Sequence, residues 1–436
     1  MDSLNEHAQN GAARRDLLKG ASAVFTTSIF TGNLKGANDK PTIAHIGMGR
    51  MGRSNLGFAL KQENLAVVAV CDVYKPHLEK AVEMTEGKAK AVRDFREILA
   101  DKSIDIVCIS TPDHWHAYMT VEACKTGKDV YVEKPISVTV DEGTKMVQAA
   151  RKYNRVVQAG TMQRSGVHFQ KAAEIVKSGE IGNVTFVRTW NYGLSKPEGI
   201  GTPPDGAAPS DLDWDMWLGP APNHSYNANR FGVDPKAFSH FRWFWDYAGG
   251  MMTDWGVHWL DIVQMAFSEA MPNAITALGA KFRITDNRDT PDTIQVSYEY
   301  PGFIATYENR YGNANSMMGK GGGILFHGDK ATLFVDRSGY RLVPEKGSEA
   351  TEVEVASSNN SNMAHWVNFM DCVRTRKRPI SDIEVCQRST TTCLLGNVAL
   401  RSKLRLDWDA KRWTTQQSEA RKFLAREERK PWKIVV

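Results

Sequence analysis

The feature that most constrains this chain is an apolar run that leads directly into three closely spaced glycines. The run Thr42–Ile46 is short and rich in β-branched residues, which predicts a buried strand of a parallel sheet. Gly47, Gly49 and Gly52 follow in the spacing GxGxxG, and a helical pattern begins at once. The first glycine permits a tight turn, the second lets a pyrophosphate approach the backbone, and the third lets helix and strand pack closely. Because a helix N-terminus attracts phosphates, the pattern predicts a dinucleotide-binding turn.

A second apolar run, LAVVAVCD, ends in Asp72, twenty residues beyond Gly52. A carboxylate at this position accepts hydrogen bonds from an adenosine ribose and repels a 2′-phosphate. Asp72 therefore favours NAD over NADP as the cofactor, although the nearby Lys75 leaves room for NADP.

Strand-like and helix-like segments keep alternating as far as Gly160, which predicts a doubly wound parallel α/β sheet over residues 39–160. Ligands of such sheets bind beyond the carboxyl ends of the strands, where the runs IDIVCISTP and DVYVEKP both end. Beside the glycines, the residues predicted to contact the cofactor are Arg50, Met51, Asp72, Thr111, Pro112, His116, Glu133 and Lys134. His114 and His116 point apart at their i,i+2 spacing, and no cysteine lies in a CxxC pair, so we predict no metal site.

From Gly182 onwards the pattern changes to period-two alternation interrupted by short Gly, Pro and Asn turns. These signals predict a second, α+β domain over residues 161–410, built on a large, mainly antiparallel sheet. Residues 362–375 and 383–403 are predicted to be its closing helices, and residues 411–436 a C-terminal tail.

The segment GGMMTDWGVHWLD in this second half predicts a helix that carries a titratable pair. Asp254 and His258 are four residues apart, so their side chains would share one helix face. A histidine with a carboxylate neighbour titrates near neutral pH, as a general acid or base should. Such a pair is also common at surfaces and in cores, and no third residue completes a metal site.

Residues 1–38 form a separate leader. Arg14 and Arg15 precede a weakly apolar stretch that is shorter than the roughly 20 residues of a membrane span. An arginine pair in this position is typical of a twin-arginine export signal, which predicts a periplasmic protein exported with its cofactor bound. If the pair is a chance feature of a tail, the protein stays in the cytoplasm.

The overall charge excludes one further class of partner. The 55 basic and 50 acidic residues of the 436-residue chain are scattered without long runs of one sign. This distribution gives no sign of a nucleic-acid-binding surface.

Four motifs occur in one order: GMGRMG, STPDHWHA, YVEKP and GGMMTDWGVHWLD. Together they resemble the Gfo/Idh/MocA oxidoreductases over roughly residues 41–410, and DWDMWLGPAP and RKPW resemble an exported bacterial branch of that family. The resemblance implies a Rossmann domain, a second domain with an open sheet, tightly held NAD(P), and a pyranose or cyclitol substrate bound between the domains. It also implies a homodimer or homotetramer, because open sheets of this kind often pair back to back.

The resemblance assigns roles to the residues of these motifs. Lys134 would contact the reacting hydroxyl, Glu133 would lie by the nicotinamide, and His258 would be the acid/base with Asp254 beside it. Asp113 stands where many relatives have asparagine. The residues predicted to bind substrate are Gln163, Arg164, His168, Arg242 and Trp243.

Two functions remain open at this point. The first is an NAD(P)-dependent dehydrogenase that acts on a sugar, a sugar derivative or a cyclitol. The alternative is an NAD-dependent glycosidase that oxidises, eliminates and re-reduces its substrate. Some such glycosidases lack the EKP motif, so its presence here favours the dehydrogenase.

Overall fold

The structure is a computed structural model that describes residues 40–232 and 239–436. The predicted leader, residues 1–38, lies outside the described residues. Within them the helices are α1 Arg50–Ala59, α2 Lys75–Met84, α3 Phe95–Ala100, α4 Asp113–Lys125, α5 Val140–Lys152, α6 Val167–Ser178, α7 Trp214–Leu218, α8 Ala228–Phe231, α9 Gly250–Asp254, α10 Gly256–Ala266, α11 Ser361–Thr375 and α12 Ile383–Ser402. The strands are β1 Thr42–Ile46, β2 Ala66–Cys71, β3 Lys90–Val92, β4 Ile106–Ile109, β5 Asp129–Val132, β6 Val157–Ala159, β7 Val184–Tyr192, β8 Asp205–Gly206, β9 Tyr226–Asn227, β10 Ala274–Ala280, β11 Thr293–Tyr300, β12 Phe303–Arg310, β13 Gly322–Gly328, β14 Ala331–Asp336, β15 Gly339–Pro344, β16 Val353–Ala356, β17 Leu406–Asp409 and β18 Thr414–Thr415.

The first sheet has six parallel strands in the order β3-β2-β1-β4-β5-β6. Strands β4 and β5 are buried along their whole length, as expected of a parallel sheet covered on both faces. Helix α11, from the far end of the chain, completes this cover by stacking Trp366 on Tyr131 of β5, with 4.7 Å between the ring centres. The predicted doubly wound sheet is confirmed.

The second sheet has ten strands in the order β16-β15-β14-β13-β7-β12-β11-β10-β17-β18. Its pairs are antiparallel except for β7 with β12, so the predicted mainly antiparallel sheet is confirmed. One face is covered by α6, α10 and α12, whose apolar side chains join those of the sheet in a single core. The sequence analysis missed β16, β17 and β18, which are two to four residues long and therefore too short for alternation to mark them as strands.

The sequence predicts only a tail for residues 411–436, but this segment is folded. It runs back to the first domain, where Trp432 is 4% exposed and packs edge-on against Trp115. Arg426 donates hydrogen bonds to Glu142 at 2.7 Å and to the backbone oxygen of His114 at 2.8 Å. The end of the chain therefore braces the start of α4, which borders the dinucleotide-binding turn.

A buried ion pair stabilises the junction between the two halves. Arg164, in the 3-10 turn after β6, is 3% exposed and donates to both carboxylate oxygens of Asp261 at 2.9 and 2.8 Å. It also donates to Glu269 at 2.8 Å. The predicted role of Arg164 in hydroxyl binding does not fit this geometry, because its donors are committed to carboxylates inside the core.

Arg164→Met should therefore destabilise the protein rather than weaken substrate binding. Removing one partner of a buried pair leaves an uncompensated charge, here Asp261, and typically costs about 3–5 kcal/mol. Denaturant unfolding should show a loss of this order. Lys171→Met, which removes an exposed pair with Glu174, is the control and should change stability by less than about 1 kcal/mol. A variant of Arg164 that unfolds like the wild type and binds substrate poorly would contradict this assignment.

Candidate active site

A cavity lies where the carboxyl ends of β1, β2, β4 and β5 face the second domain. The second domain contributes aromatic and charged side chains to its wall, among them Trp217, Phe241, Arg242 and Asp254. The predicted cofactor contacts that line the cavity are Gly47, Gly49, Arg50, Met51, Asp72, Thr111, Pro112, His116, Glu133 and Lys134. The structure thus brings together ten of the eleven residues that the sequence analysis predicted to contact the cofactor.

The eleventh, Gly52, lies behind the turn. A Cβ at this position would lie 1.8 Å from the backbone oxygen of Gly47, so the residue allows the helix to pack against the turn. Gly47 has φ +86°, and a Cβ at this position would clash with the backbone of Thr111. A Cβ on Gly49, by contrast, would lie 3.9 Å from its nearest neighbour. The space over Gly49 is open, as the close approach of a pyrophosphate requires.

Asp72 is held at the other end of the cavity by backbone N–H groups. One oxygen accepts from Met48 at 2.6 Å and the other from Tyr74 at 2.8 Å, and His77 Nδ1 lies 3.5 Å away. A carboxylate has about four acceptor positions, so each oxygen keeps capacity for a further donor. This geometry fits the two hydroxyls of an adenosine ribose.

Glu133 and His116 support the loop that follows β5. Glu133 is buried against Gly160 and accepts from Asn55 at 2.8 Å, and burial raises the pKa of this carboxyl. His116 lies with its two ring nitrogens 2.7 and 2.9 Å from the backbone oxygens of Pro135 and Thr111. Burial lowers the pKa of His116 to about 4, and the neutral imidazole has one N–H, so it can donate to one of these two carbonyl oxygens.

Lys134 reaches from the tip of β5 to the second domain. Its Nζ donates to Asp254 Oδ1 at 2.8 Å and to the backbone oxygen of the same residue at 3.0 Å. Arg242 Nε lies 3.5 Å from the other carboxylate oxygen. Burial opposes ionisation of Asp254, but Arg242 and Lys134 outweigh it and lower the pKa of this carboxyl to about 2. The cavity therefore ends in a fixed ammonium group paired with a fixed carboxylate.

His258 is close enough to Lys134 for the ammonium charge to act on its imidazole, but it is not bonded to Asp254 and is not among the residues that line the cavity. Asp254 ends α9 and turns towards Lys134, whereas His258 lies in α10 beyond Trp255. The predicted Asp254–His258 contact is therefore absent from the described residues. Burial, and then the charges of Lys134 and Arg337, lower the pKa of His258 well below its usual range. The imidazole is therefore neutral at pH 7.

Three further predicted substrate contacts, Gln163, His168 and Trp243, are not among the residues that line the cavity. Gln163 donates to the backbone oxygen of His258 at 2.8 Å, and His168 lies 3.0 Å from the backbone oxygen of Asp336. Trp243 is buried with the guanidinium of Arg288 4.2 Å from its ring centre, so it is a core residue. Of the five, Arg242 alone lines the cavity.

The sequence analysis assigned no role to two charged residues in or near the site. Arg337 lies in the turn between β14 and β15, far along the chain from the recognisable motifs, and no local pattern marks it. Asp113 begins α4 and lines the cavity beside Lys134 and Arg242. Its departure from the asparagine of many relatives is the signal that the sequence offers, and its charge state depends on its burial in the folded protein.

The burial of Asp113 should make the free energy of unfolding depend on pH. Burial raises the pKa of Asp113 to about 8, although Arg242 and Lys134 partly offset the effect. In the unfolded chain the carboxyl ionises at about pH 4. Between these values the unfolded state binds fewer protons, so Asp113 lowers stability progressively as the pH rises from about 4 to about 8.

Asp113→Asn should remove that decline. The cofactor-free variant should gain stability relative to the wild type by a few kcal/mol between pH 5 and pH 8. Denaturant unfolding at both pH values measures the difference, and Asp371→Asn, on the exposed face of α11, is the control. Parallel pH profiles for Asp113→Asn and the wild type would show that the carboxyl is ionised throughout.

No helix within residues 40–232 and 239–436 is long and apolar enough to cross a membrane. In the same ranges no three His, Cys, Asp or Glu side chains come together as a metal site would require.

Comparison with curated proteins finds relatives of two kinds. This chain is 31% identical over 160 residues to the inositol 2-dehydrogenase of Salmonella typhimurium. The aligned region covers 36% of this chain and 48% of that protein. A glycosyl hydrolase family 109 protein of Shewanella baltica is 32% identical over 122 positions, covering 26% of this chain and 27% of that protein. The chain spans about half the length, or less, of the curated relatives it matches.

Comparison with solved structures finds the same two-domain fold. The WlbA dehydrogenase of Bordetella pertussis, solved with NADH and UDP-GlcNAcA, matches at TM-score 0.64 and 16% identity over 85% of this chain and 99% of its own. The aldose-aldose oxidoreductase of Caulobacter crescentus matches at TM-score 0.64 and 20% identity over 85% of this chain and 100% of its own.

Family models cover both domains. Residues 42–161 match the "Oxidoreductase family, NAD-binding Rossmann fold" and residues 189–434 match the "Oxidoreductase family, C-terminal alpha/beta domain". The second match extends through the folded C-terminal segment. The chain therefore belongs to the Gfo/Idh/MocA oxidoreductase family.

Proposed function

We propose that this protein is an NAD-dependent oxidoreductase that interconverts a hydroxyl and a carbonyl group on a sugar, a sugar derivative or a cyclitol. The observation that carries the proposal is the contact of Lys134 with Asp254, at the point where the dinucleotide-binding edge of the first sheet meets the second domain. The match to inositol 2-dehydrogenase supports the choice of substrate class.

NAD fits the residues present. The open space over Gly49 would admit the pyrophosphate, and the two backbone-held oxygens of Asp72 would accept from the adenosine ribose. Asp72 also supports NAD over NADP, because a buried carboxylate repels a 2′-phosphate. The bound nicotinamide would supply the hydride acceptor or donor.

The chain's own residues would handle the oxygen and its proton. Lys134 Nζ would donate a hydrogen bond to the substrate oxygen and stabilise the negative charge that develops there. Asp254 keeps that ammonium group aimed into the cavity. The neutral imidazole of His258 would accept the hydroxyl proton during oxidation and return it during reduction.

The second candidate is an NAD-dependent glycosidase. The match to the glycosyl hydrolase family 109 protein favours this possibility, although it covers 26% of the chain. Product analysis separates the two functions, because a dehydrogenase leaves a ketone or lactone and a reduced cofactor, whereas the glycosidase leaves a cleaved glycoside and an unchanged cofactor.

Lys134→Met should lower kcat by about two to four orders of magnitude while the protein keeps its cofactor. The methionine preserves the length of the side chain and removes the charge. Turnover with a panel of sugars and cyclitols gives kcat, and mass spectrometry after denaturing release gives the cofactor content. Lys125→Met, on α4 and paired with Glu122, is the control and should leave both unchanged. Near wild-type turnover by Lys134→Met, or wild-type protein without nicotinamide cofactor, would refute the proposed function.

We also propose that the protein is exported through its twin-arginine leader. Export would deliver the folded protein with its cofactor to the periplasm, and the arginine pair supports this route. Replacing Arg14 and Arg15 together by lysine should leave the protein in the cytoplasm, folded and loaded with cofactor. Cell fractionation with immunoblotting measures this, and undiminished protein outside the inner membrane would show that the pair is incidental.

A further inference from the structure

At the end of the candidate active site where Lys134 meets Asp254, cations outnumber the carboxylates that are held ionised. Three cations, Lys134, Arg242 and Arg337, act on the single low-pKa carboxylate of Asp254. Of the other carboxyls in the cavity wall, Asp113 has a pKa of about 8 because of its burial, burial also raises the pKa of Glu133, and Asp72 lies at the opposite, dinucleotide end of the cavity. A neutral sugar would leave this excess of positive charge uncompensated. An anionic ligand would balance it.

Arg337 is the cation whose surroundings indicate where the anionic group binds. It projects from the turn between β14 and β15, and its guanidinium carbon lies 4.6 Å from the ring centre of Trp255. Its Nε donates to Gln163 at 3.0 Å, and Gln163 in turn donates to the backbone oxygen of His258 at 2.8 Å. The guanidinium is therefore stacked and anchored beside the proposed acid/base.

The two terminal nitrogens of the Arg337 guanidinium remain available to bind a ligand. Among the residues that the structure describes, no carboxylate lies within ion-pair distance of Arg337, and the residue is exposed outside the cavity lining. Arg341, four residues further along the same hairpin, is different because it pairs with Glu352 at 2.5 Å. A planar guanidinium held by stacking offers two parallel N–H donors, which match the two oxygens of a carboxylate.

We propose that Arg337 binds the carboxylate of an acidic sugar, so that the substrate is a sugar acid such as a uronic acid rather than a neutral sugar. This inference rests on the proposed function and specifies its substrate class. Gln163 then has a positioning role. It accepts a hydrogen bond from Nε of Arg337 and so leaves the two terminal nitrogens of the guanidinium to bind the ligand.

Binding to the cofactor-loaded protein tests the inference. The probes are D-glucuronate with D-glucose and D-galacturonate with D-galactose, measured by isothermal titration calorimetry. At least one acid should bind about 10- to 100-fold more tightly than its neutral partner, the range expected for hydrogen bonds to a charged group. Its affinity should also fall as the salt concentration rises, whereas that of the neutral sugar should not.

Variants of the same hairpin locate the effect. Arg337→Gln should abolish the preference for the acid and leave binding of the neutral sugar unchanged, while Arg337→Lys, which keeps the charge without the planar fork, should lose part of it. Arg341→Gln is the matched control and should retain the full preference. Thermal unfolding of each variant shows that the fold is intact.

The inference would be overturned if each acid bound no more tightly than its neutral sugar, or if neither compound of a pair bound measurably in both pairs. A preference for the acid that survives Arg337→Gln would also overturn it. These outcomes are distinct from failure of the proposed function. Protein that carries nicotinamide cofactor and depends on Lys134 for turnover, but shows no acid preference, would refute the role of Arg337 alone. Protein without the cofactor would refute the proposed function itself.

Discussion

The ion pair between Lys134 and Asp254 is the interaction on which the candidate active site depends. It joins residues 120 positions apart in sequence, one at the tip of a parallel strand and one at the end of a helix in the second domain. Because the ammonium group is held by both a carboxylate and a backbone oxygen, it has a fixed direction inside a partly buried cavity. A charge held in this way needs little reorganisation when negative charge develops on a bound oxygen.

The surrounding packing holds Lys134 and Asp254 in their relative positions. The buried bonds of Arg164 to Asp261 and Glu269 fasten the turn after β6 to α10 and the residues that follow it. The last residues of the chain return to the first domain and brace the start of α4. Helix α11 closes the parallel sheet from the other side. Each of these contacts links segments that are remote in sequence, so the site belongs to the whole fold.

Electrostatics divides the carboxyl groups of the site into different roles. Asp254 is ionised because Arg242 and Lys134 outweigh its burial, whereas burial dominates at Asp113 and Glu133 and raises the pKa of both. His258 is kept neutral by burial and by the neighbouring cations. These opposing shifts separate a fixed anion from groups that can carry a proton, as acid–base chemistry requires.

The sequence by itself determined the parallel sheet, the glycine turn, the position of Asp72 and the strand tip that carries Lys134. These features depend on local periodicity and on the rule that parallel strands present their carboxyl ends at one edge. Tertiary structure alone decided that Asp254 turns to Lys134 rather than His258 and that Arg164 is a core cation. It also decided that Arg337, from a distant hairpin, stacks on Trp255 close enough for its charge to act on Asp254. Side-chain partners and charge states of this kind depend on burial and on neighbours from other segments. Sequence spacing carries no information about either.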